Sequence, residues 1–185
     1  RPRPSAGWSA LRLEASGESD AALALWEELG AEGDRKAMVA AGVIYHQGLG
    51  RPVDYDKALD WYLKSMDGDA LNNMGVMFRD GTGVPQNAKI AYLMFLTVHM
   101  TGMGSEATIM RANRNLRASI AALPREEIDE ALCYTVDYFM AYIESRGRLA
   151  DVPQDLQVSP ARRRIRELGW WREGELAPYD CPAGT

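Results

Sequence analysis

Residues 42–68 read GVIYHQGLGRPVDYDKALDWYLKSMDG, and residues 75–102 read GVMFRDGTGVPQNAKIAYLMFLTVHMTG. The two stretches share their turn residues at a constant offset of 33 positions. The recurring residues are Gly42, Gly48, Gly50 and Pro52, which return as Gly75, Gly81, Gly83 and Pro85. Because a period of this length is typical of stacked helix pairs, the pattern predicts a helical repeat array.

Each repeat is predicted to contain a helix, a glycine turn and a second helix. Gly48 and Gly50 follow the first helix, where a left-handed backbone conformation favours glycine. Pro52 then prevents the helix from continuing. A phosphate-binding glycine loop is not expected, because no strand precedes the turn and no Gly-Lys-Ser/Thr follows it. In the second helix, Trp61 is expected to wedge between neighbouring repeats.

The pattern G-x-x-Y-x-x-G-x-G, a short polar loop and K-A-x-x-W-Y resembles the Sel-one-like repeat family, a branch of the tetratricopeptide-type helical repeats. The first copy matches nearly every position, whereas the second carries Asn87, Ile90 and Met94 in place of Asp54, Lys57 and Trp61. The resemblance implies an all-α fold. Its expected architecture is an α/α superhelix, a right-handed solenoid of antiparallel helix pairs with C-terminal capping helices.

Glycine and tryptophan spacing predicts two further features. Gly68 lies closer to Gly75 than Gly33 lies to Gly42, which predicts a tighter turn into the second repeat. Trp26 precedes Gly33 by the same interval that separates Trp61 from Gly68, which indicates a third, partial repeat at the amino end. Its first helix would surround Trp8, Leu11 and Leu13.

The whole chain, residues 1–185, is expected to form a single α-solenoid domain, because no long polar linker divides it. The predicted parts are a partial repeat (1–33), two repeats (34–68 and 69–102), a capping helix pair (103–147) and a tail with a short helix (148–185). Pro124, Glu126 and Glu127 favour a helix start in the cap. This cap resembles the closing region of bacterial Sel-one-like proteins, which implies a bacterial source.

The charge of the chain limits its partners. The net charge is −5 and the sequence pI is about 5.1, which argue against nucleic acid and anionic membrane surfaces. No apolar run is long enough to predict membrane insertion. The basic cluster at residues 162–166 is interpreted either as a solvated helix face or as a docking patch. Trp170 and Trp171 either pack on the body or form an exposed apolar site.

The cellular compartment is left open by the sequence. Cys133 and Cys181 are too few for a disulfide framework, and whether they pair depends on the compartment. The chain begins with Arg1, which indicates that upstream residues were removed by a signal peptidase or during production of the protein. A periplasmic or secreted location is slightly favoured over a cytoplasmic one.

Catalytic and metal-binding motifs are missing from the sequence. His46 and His99 do not form an H-E-x-x-H motif, and no serine lies in G-x-S-x-G. The carboxylates fall on predicted helix faces and helix starts. We therefore expect no enzyme activity, no cofactor and no metal site.

The expected function is that of an adaptor that binds a partner protein or peptide on the concave face of the array, which the family resemblance also implies. By analogy with tetratricopeptide repeats, one set of first-helix residues would line this face, which we call the groove face. These residues are Lys36, Val39, Val43 and His46 in the first repeat, and Asn72, Val76 and Arg79 in the second. Alternatively, these are ordinary exposed helix residues. A further alternative is a structural or regulatory subunit that oligomerises through its convex face or tail.

Overall fold

The computed structural model describes residues 6–132 and Arg146. Within these residues the chain forms eight α-helices and no strand, which confirms the predicted all-α fold class. The helices are α1 (Ala6–Ala15), α2 (Ser19–Ala31), α3 (Arg35–Gln47), α4 (Tyr55–Ser65), α5 (Gly68–Asp80), α6 (Ala88–Thr101), α7 (Glu106–Ala122) and α8 (Arg125–Ala131). No helix in this part of the chain is both long and apolar enough to span a bilayer.

Successive helices pack as pairs, and the pairs stack. The helices α1 and α2, α3 and α4, and α5 and α6 are each in contact, and α2 also packs on α3. At the carboxyl end, α7 and α8 both pack against α6, and Lys89 of α6 forms a 2.9 Å ion pair with Glu130 of α8. The predicted helix start is confirmed, since Pro124 is the N-cap of α8. The result is a helical repeat solenoid.

Equivalent side chains cap the helices of both repeats. Asp34 and Asp67 accept hydrogen bonds from backbone N–H groups in the first turns of α3 and α5. Asp54 and Asn87 do the same for α4 and α6. The change from Asp54 to Asn87 therefore keeps the cap, since both side chains offer an oxygen to the unpaired N–H groups of the helix start.

The two-glycine turn has the predicted conformation. Gly48 and Gly50 have φ angles of 68° and 71°, and Gly81 and Gly83 have nearly the same values. After the turn, the backbone N–H of Asp54 donates to the Tyr45 carbonyl at 3.0 Å. This hydrogen bond holds the start of α4 against the end of α3, and α4 packs along α3.

The turn before the second repeat is tighter, as predicted: two residues, 66 and 67, separate α4 from α5, whereas three residues, 32–34, separate α2 from α3. Gly33 has a φ of 100° and precedes the Asp34 cap, whereas Gly68 is the first residue of α5 and follows the Asp67 cap. The equivalent of Gly33 is Met66, which adopts a left-handed φ of 46° despite its side chain. The two glycines on which the prediction rested are therefore not equivalent.

A glycine on each first helix faces an aromatic ring on the second helix. A Cβ atom on Gly42 would lie 2.5 Å from the Tyr62 ring, and one on Gly75 would lie 2.5 Å from the Phe95 ring. In the first helix pair, Gly7 faces the Trp26 ring in the same way at 3.8 Å. Trp26 therefore corresponds to Tyr62 rather than to Trp61, one residue away from the predicted register.

Trp61 lies between neighbouring helix pairs, as predicted. A Cβ atom on Gly30 of α2 would lie 2.9 Å from its ring, and the Lys64 ammonium lies 4.4 Å from the ring centroid. Trp61 stays half-buried, while its neighbour Tyr62 is fully buried. Trp61 of α4 thus packs against α2 of the preceding helix pair.

Several predictions fall outside the described residues. They concern the pairing of Cys133 and Cys181, the basic cluster at 162–166, the Trp170–Trp171 pair and the tail at 148–185. The boundaries of the five predicted parts of the chain also remain predictions.

Candidate partner-binding face

The first-repeat residues of the groove face lie on α3 at helical spacing. Lys36 is exposed, and Val39, Val43 and His46 are half-buried. Residues at such spacing share one side of a helix, so they form a continuous stripe along α3. Along this stripe the exposed Lys36 ammonium lies beside the partly exposed Val39 and Val43 side chains.

A cavity of about 420 Å³ opens beside the amino end of this stripe. Lys36 and Val39 line it together with residues from the starts of α5 and α7, namely Asp67, Asp69, Gly104 and Ser105. Two of the predicted groove-face residues therefore share one concave site. Its walls come from three successive first helices.

The acidic residues of this cavity are already engaged. Asp67 accepts hydrogen bonds from the backbone N–H groups of Asp69 and Ala70. One carboxylate oxygen of Asp69 accepts from the Thr108 hydroxyl and, at 2.8 Å, from the Arg111 guanidinium. In contrast, Lys36 forms no ion pair with any described residue. The cavity therefore combines an unpaired ammonium group with carboxylates that already accept hydrogen bonds.

The structure places two second-repeat residues differently from the prediction. Asn72 is only 4% exposed, and its side-chain oxygen accepts a 3.1 Å hydrogen bond from Asn115 of α7. Arg79 donates to the Asn115 oxygen at 3.3 Å and to both carboxylate oxygens of Asp80. These side chains hold α7 against α5. Asn72 is therefore not available to a partner, whereas the Arg79 side chain is engaged but still 40% exposed.

The electrostatics of Arg79 fit this structural role. The hydrogen bonds between its guanidinium and Asp80 raise the pKa of Arg79 and lower the pKa of Asp80. The ion pair is therefore maintained at neutral pH. Val76 is half-buried between the two polar residues and completes this part of the face.

His46 packs into an aromatic cluster at the carboxyl end of α3. Its Nδ1 lies 3.2 Å from the Tyr62 hydroxyl, and its ring meets the rings of Tyr55 and Tyr62 edge to face. Asn73 of α5 donates to the same hydroxyl at 3.4 Å. Burial lowers the pKa of His46 and raises that of Tyr62, so both side chains are neutral at pH 7. The Tyr62 hydroxyl thus links His46 of the first repeat to Asn73 of the second.

An apolar site on α1 was missed by the sequence reasoning. Trp8 is 70% exposed and Leu11 is 48% exposed, and both line a second cavity of about 410 Å³ with Arg12 and Ala15. The sequence feature that could have predicted this site is Gly7. If Gly7 is aligned with Gly42, Trp8 takes the position of the groove-face residue Val43.

The described residues contain no group of three or more His, Cys, Asp or Glu side chains able to hold a metal ion. His99 pairs with Asn113 through a 2.7 Å contact. His46 faces tyrosine hydroxyls and rings instead of a nucleophile that it could activate. In this part of the chain the histidines therefore have structural partners.

Comparison with known proteins identifies the repeats. The family model for the Sel1 repeat matches residues 35–67 and 68–96. Among solved structures, the chain is similar to a protective antigen present in uropathogenic Escherichia coli strains, described as displaying an SLR fold. The comparison with curated proteins gave no significant match.

The similarity to the Escherichia coli antigen extends over the fold. The TM-score is 0.58 at 19% sequence identity, and the match covers 97% of this chain. The chain spans about a third of that structure, 33% of its length. At this level of identity the likeness concerns the fold alone. The matched repeats and the shared architecture together show that the chain is a helical repeat protein carrying two Sel1 repeats.

Proposed function

We propose that the protein is a non-catalytic adaptor that binds a partner protein or peptide on its groove face. The carrying observation is the cavity at the starts of α3, α5 and α7, where Lys36 and Val39 remain available. Stacked helix pairs expose extended concave surfaces of this kind, and Sel1 repeats are generally protein-interaction scaffolds.

The chemistry of the cavity supports a peptide as its occupant. Its carboxylates are satisfied by helix N–H groups and by α7, so the binding contribution comes from the Val39 side chain and the Lys36 ammonium. An aliphatic contact combined with one charged contact is typical of peptide recognition by helical repeats and grooves. Beyond the cavity, a bound peptide could also contact the rest of the α3 stripe, which includes Val43.

The experiment is affinity capture from extracts of the source organism with wild-type protein and a Lys36→Glu/Val39→Asp variant. Both substitutions fall on exposed or half-buried positions, and circular dichroism checks that the variant folds. An Ala24→Asp variant on α2 serves as the matched control, because Ala24 is also exposed. We expect a partner that is lost with the groove variant and kept with the control.

Capture that is indifferent to the groove variant would contradict the proposal. Selective loss with Ala24→Asp would move the interaction to the second helices. Self-capture that depends on Ala24 and raises the mass with concentration would favour the oligomerising subunit.

A further inference from the structure

We propose that the α1 site formed by Trp8, Leu11 and Arg12 binds a peptide segment that presents an aromatic or aliphatic side chain next to a carboxylate. This inference rests on the proposed adaptor function and names where and what the groove face binds. It differs from that proposal in its residues, which lie on a helix outside the two matched repeats.

The register of the repeats places this site on the groove face. Gly7 faces Trp26 as Gly42 faces Tyr62. With these glycines aligned, Trp8 and Leu11 occupy the positions of Val43 and His46. The same alignment equates the buried Ala10 with the buried Tyr45, which supports it independently. The α1 side chains therefore continue the stripe that begins on α3.

The groove face is more covered on α5 than on α1. On α5 the equivalent positions are Val76 and Arg79, and α7 lies against that helix through Asn115. On α1 no described helix covers Trp8 or Leu11, which remain 70% and 48% exposed beside a cavity of about 410 Å³. A large exposed aromatic beside a cavity is the arrangement that anchors partner side chains.

The Arg12 guanidinium next to this apolar surface favours a partner with a negative charge. Arg12 lines the cavity and forms no ion pair with any residue that the structure describes. The nearest acid on the same helix, Glu14, instead accepts a 2.6 Å hydrogen bond from the Trp26 indole. Lys36, which lines the cavity at the starts of α3, α5 and α7, is also without an ion pair in the described chain. Both free charges are cationic, so a carboxylate is the complementary group.

The proposal is tested by selecting random displayed dodecapeptides on the full chain and measuring the affinity of the selected peptides by fluorescence anisotropy. We expect enrichment of Phe, Trp or Leu beside Asp or Glu. Trp8→Ala and Arg12→Glu should each weaken binding by about tenfold or more, as expected for removal of an anchor. Met100→Ala is the matched control, because Met100 is exposed to a similar extent, 74%.

Thermal melts of the variants check folding. Selected peptides that lack carboxylates, or that bind Trp8→Ala as tightly as wild type, would overturn the α1 site. If those peptides were lost with Lys36→Glu/Val39→Asp, the adaptor proposal would stand without it. A selection that enriches no peptide at all would contradict both.

Discussion

Gly42 packs so closely on the Tyr62 ring that the side chain of any other residue must displace it. The same contact is looser at Gly7, where a Cβ atom would lie 3.8 Å from Trp26 instead of 2.5 Å from Tyr62. We therefore expect Gly42→Ala to lower the free energy of unfolding by about 1–3 kcal/mol through overpacking. Gly7→Ala should leave it unchanged or slightly raised, because alanine favours helix. Urea unfolding of both variants measures the difference, and equal losses would contradict the assigned contacts.

Gly48 combines a left-handed backbone with a crowded environment. Its φ is 68°, and an added Cβ atom would lie 2.9 Å from the Arg51 carbonyl oxygen. Gly17 has a φ of 80° with nothing within 4 Å, so Gly17→Ala measures the conformational cost alone, about 1 kcal/mol. Gly48→Ala should cost more than that in chemical denaturation. A smaller loss at Gly48 than at Gly17 would refute the crowding.

His46 makes stability depend on pH in a defined direction. Burial lowers its pKa below the ordinary value of 6.5, so the unfolded chain binds a proton more readily than the folded one. Above pH 6.5 the His46 side chain is neutral in both the folded and the unfolded chain, so its burial carries no pH-dependent penalty. As the pH falls from 6.5 toward the lower pKa of the folded state, the free energy of unfolding decreases. Urea unfolding at pH 7.5 and pH 5.5 should show a larger acid loss for wild type than for His46→Gln. Identical losses would mean that His46 is not desolvated.

At the residue scale, local chemistry made some features predictable. Gly48 and Gly50 could be assigned because a left-handed turn after a helix restricts the residue type at that position. Met66 adopts the same kind of conformation without a glycine to mark it, so the equivalence with Gly33 was hidden. Side chains that break the usual preference leave no sequence signal.

At the scale of the elements, α7 packs against the α5 part of the groove face and leaves the α3 part more accessible. Asn115 bonds to both Asn72 and Arg79, and Asn72 is buried. Asn115→Ala leaves a buried amide oxygen without its partner, which should cost about 1–3 kcal/mol. Asn113→Ala, which removes the contact to the exposed His99, should stay within about 0.5 kcal/mol. Thermal melts compare the stability of the two variants, and equal losses would argue against a role for Asn115 in holding α7 on α5.

The contacts of Asn115 could not be predicted from the sequence, unlike the helices that it joins. The helices and their order followed from periodicity, because each amphipathic face is encoded within a few residues. The pairing of Asn72 with Asn115 joins helices far apart in the sequence, and a polar residue at this spacing looks the same whether it faces water or another helix. On α3 the groove-face residues therefore stay a prediction, whereas Asn72 and Arg79 of α5 bond to Asn115 of α7.

The whole molecule is asymmetric along its length. At the carboxyl end, α7 and α8 cover α6, and α7 secures α5. At the amino end, α1 exposes an aromatic residue at the position where α3 carries Val43. The carboxyl-terminal helices thus cover the last repeat, while the exposed α1 side chains and the cavity beside Lys36 and Val39 are the surfaces that we propose for binding.

The central claim is that partners bind the groove face. The most direct measurement is site-specific photocrosslinking in extracts of the source organism, with a benzophenone amino acid placed at position 8, 39, 24 or 120. Positions 24 and 120 are exposed on α2 and α7, outside the two cavities. We predict a partner adduct from positions 8 and 39 and none from 24 and 120. Adducts confined to position 24 or 120 would contradict the account and place the interaction surface elsewhere on the solenoid.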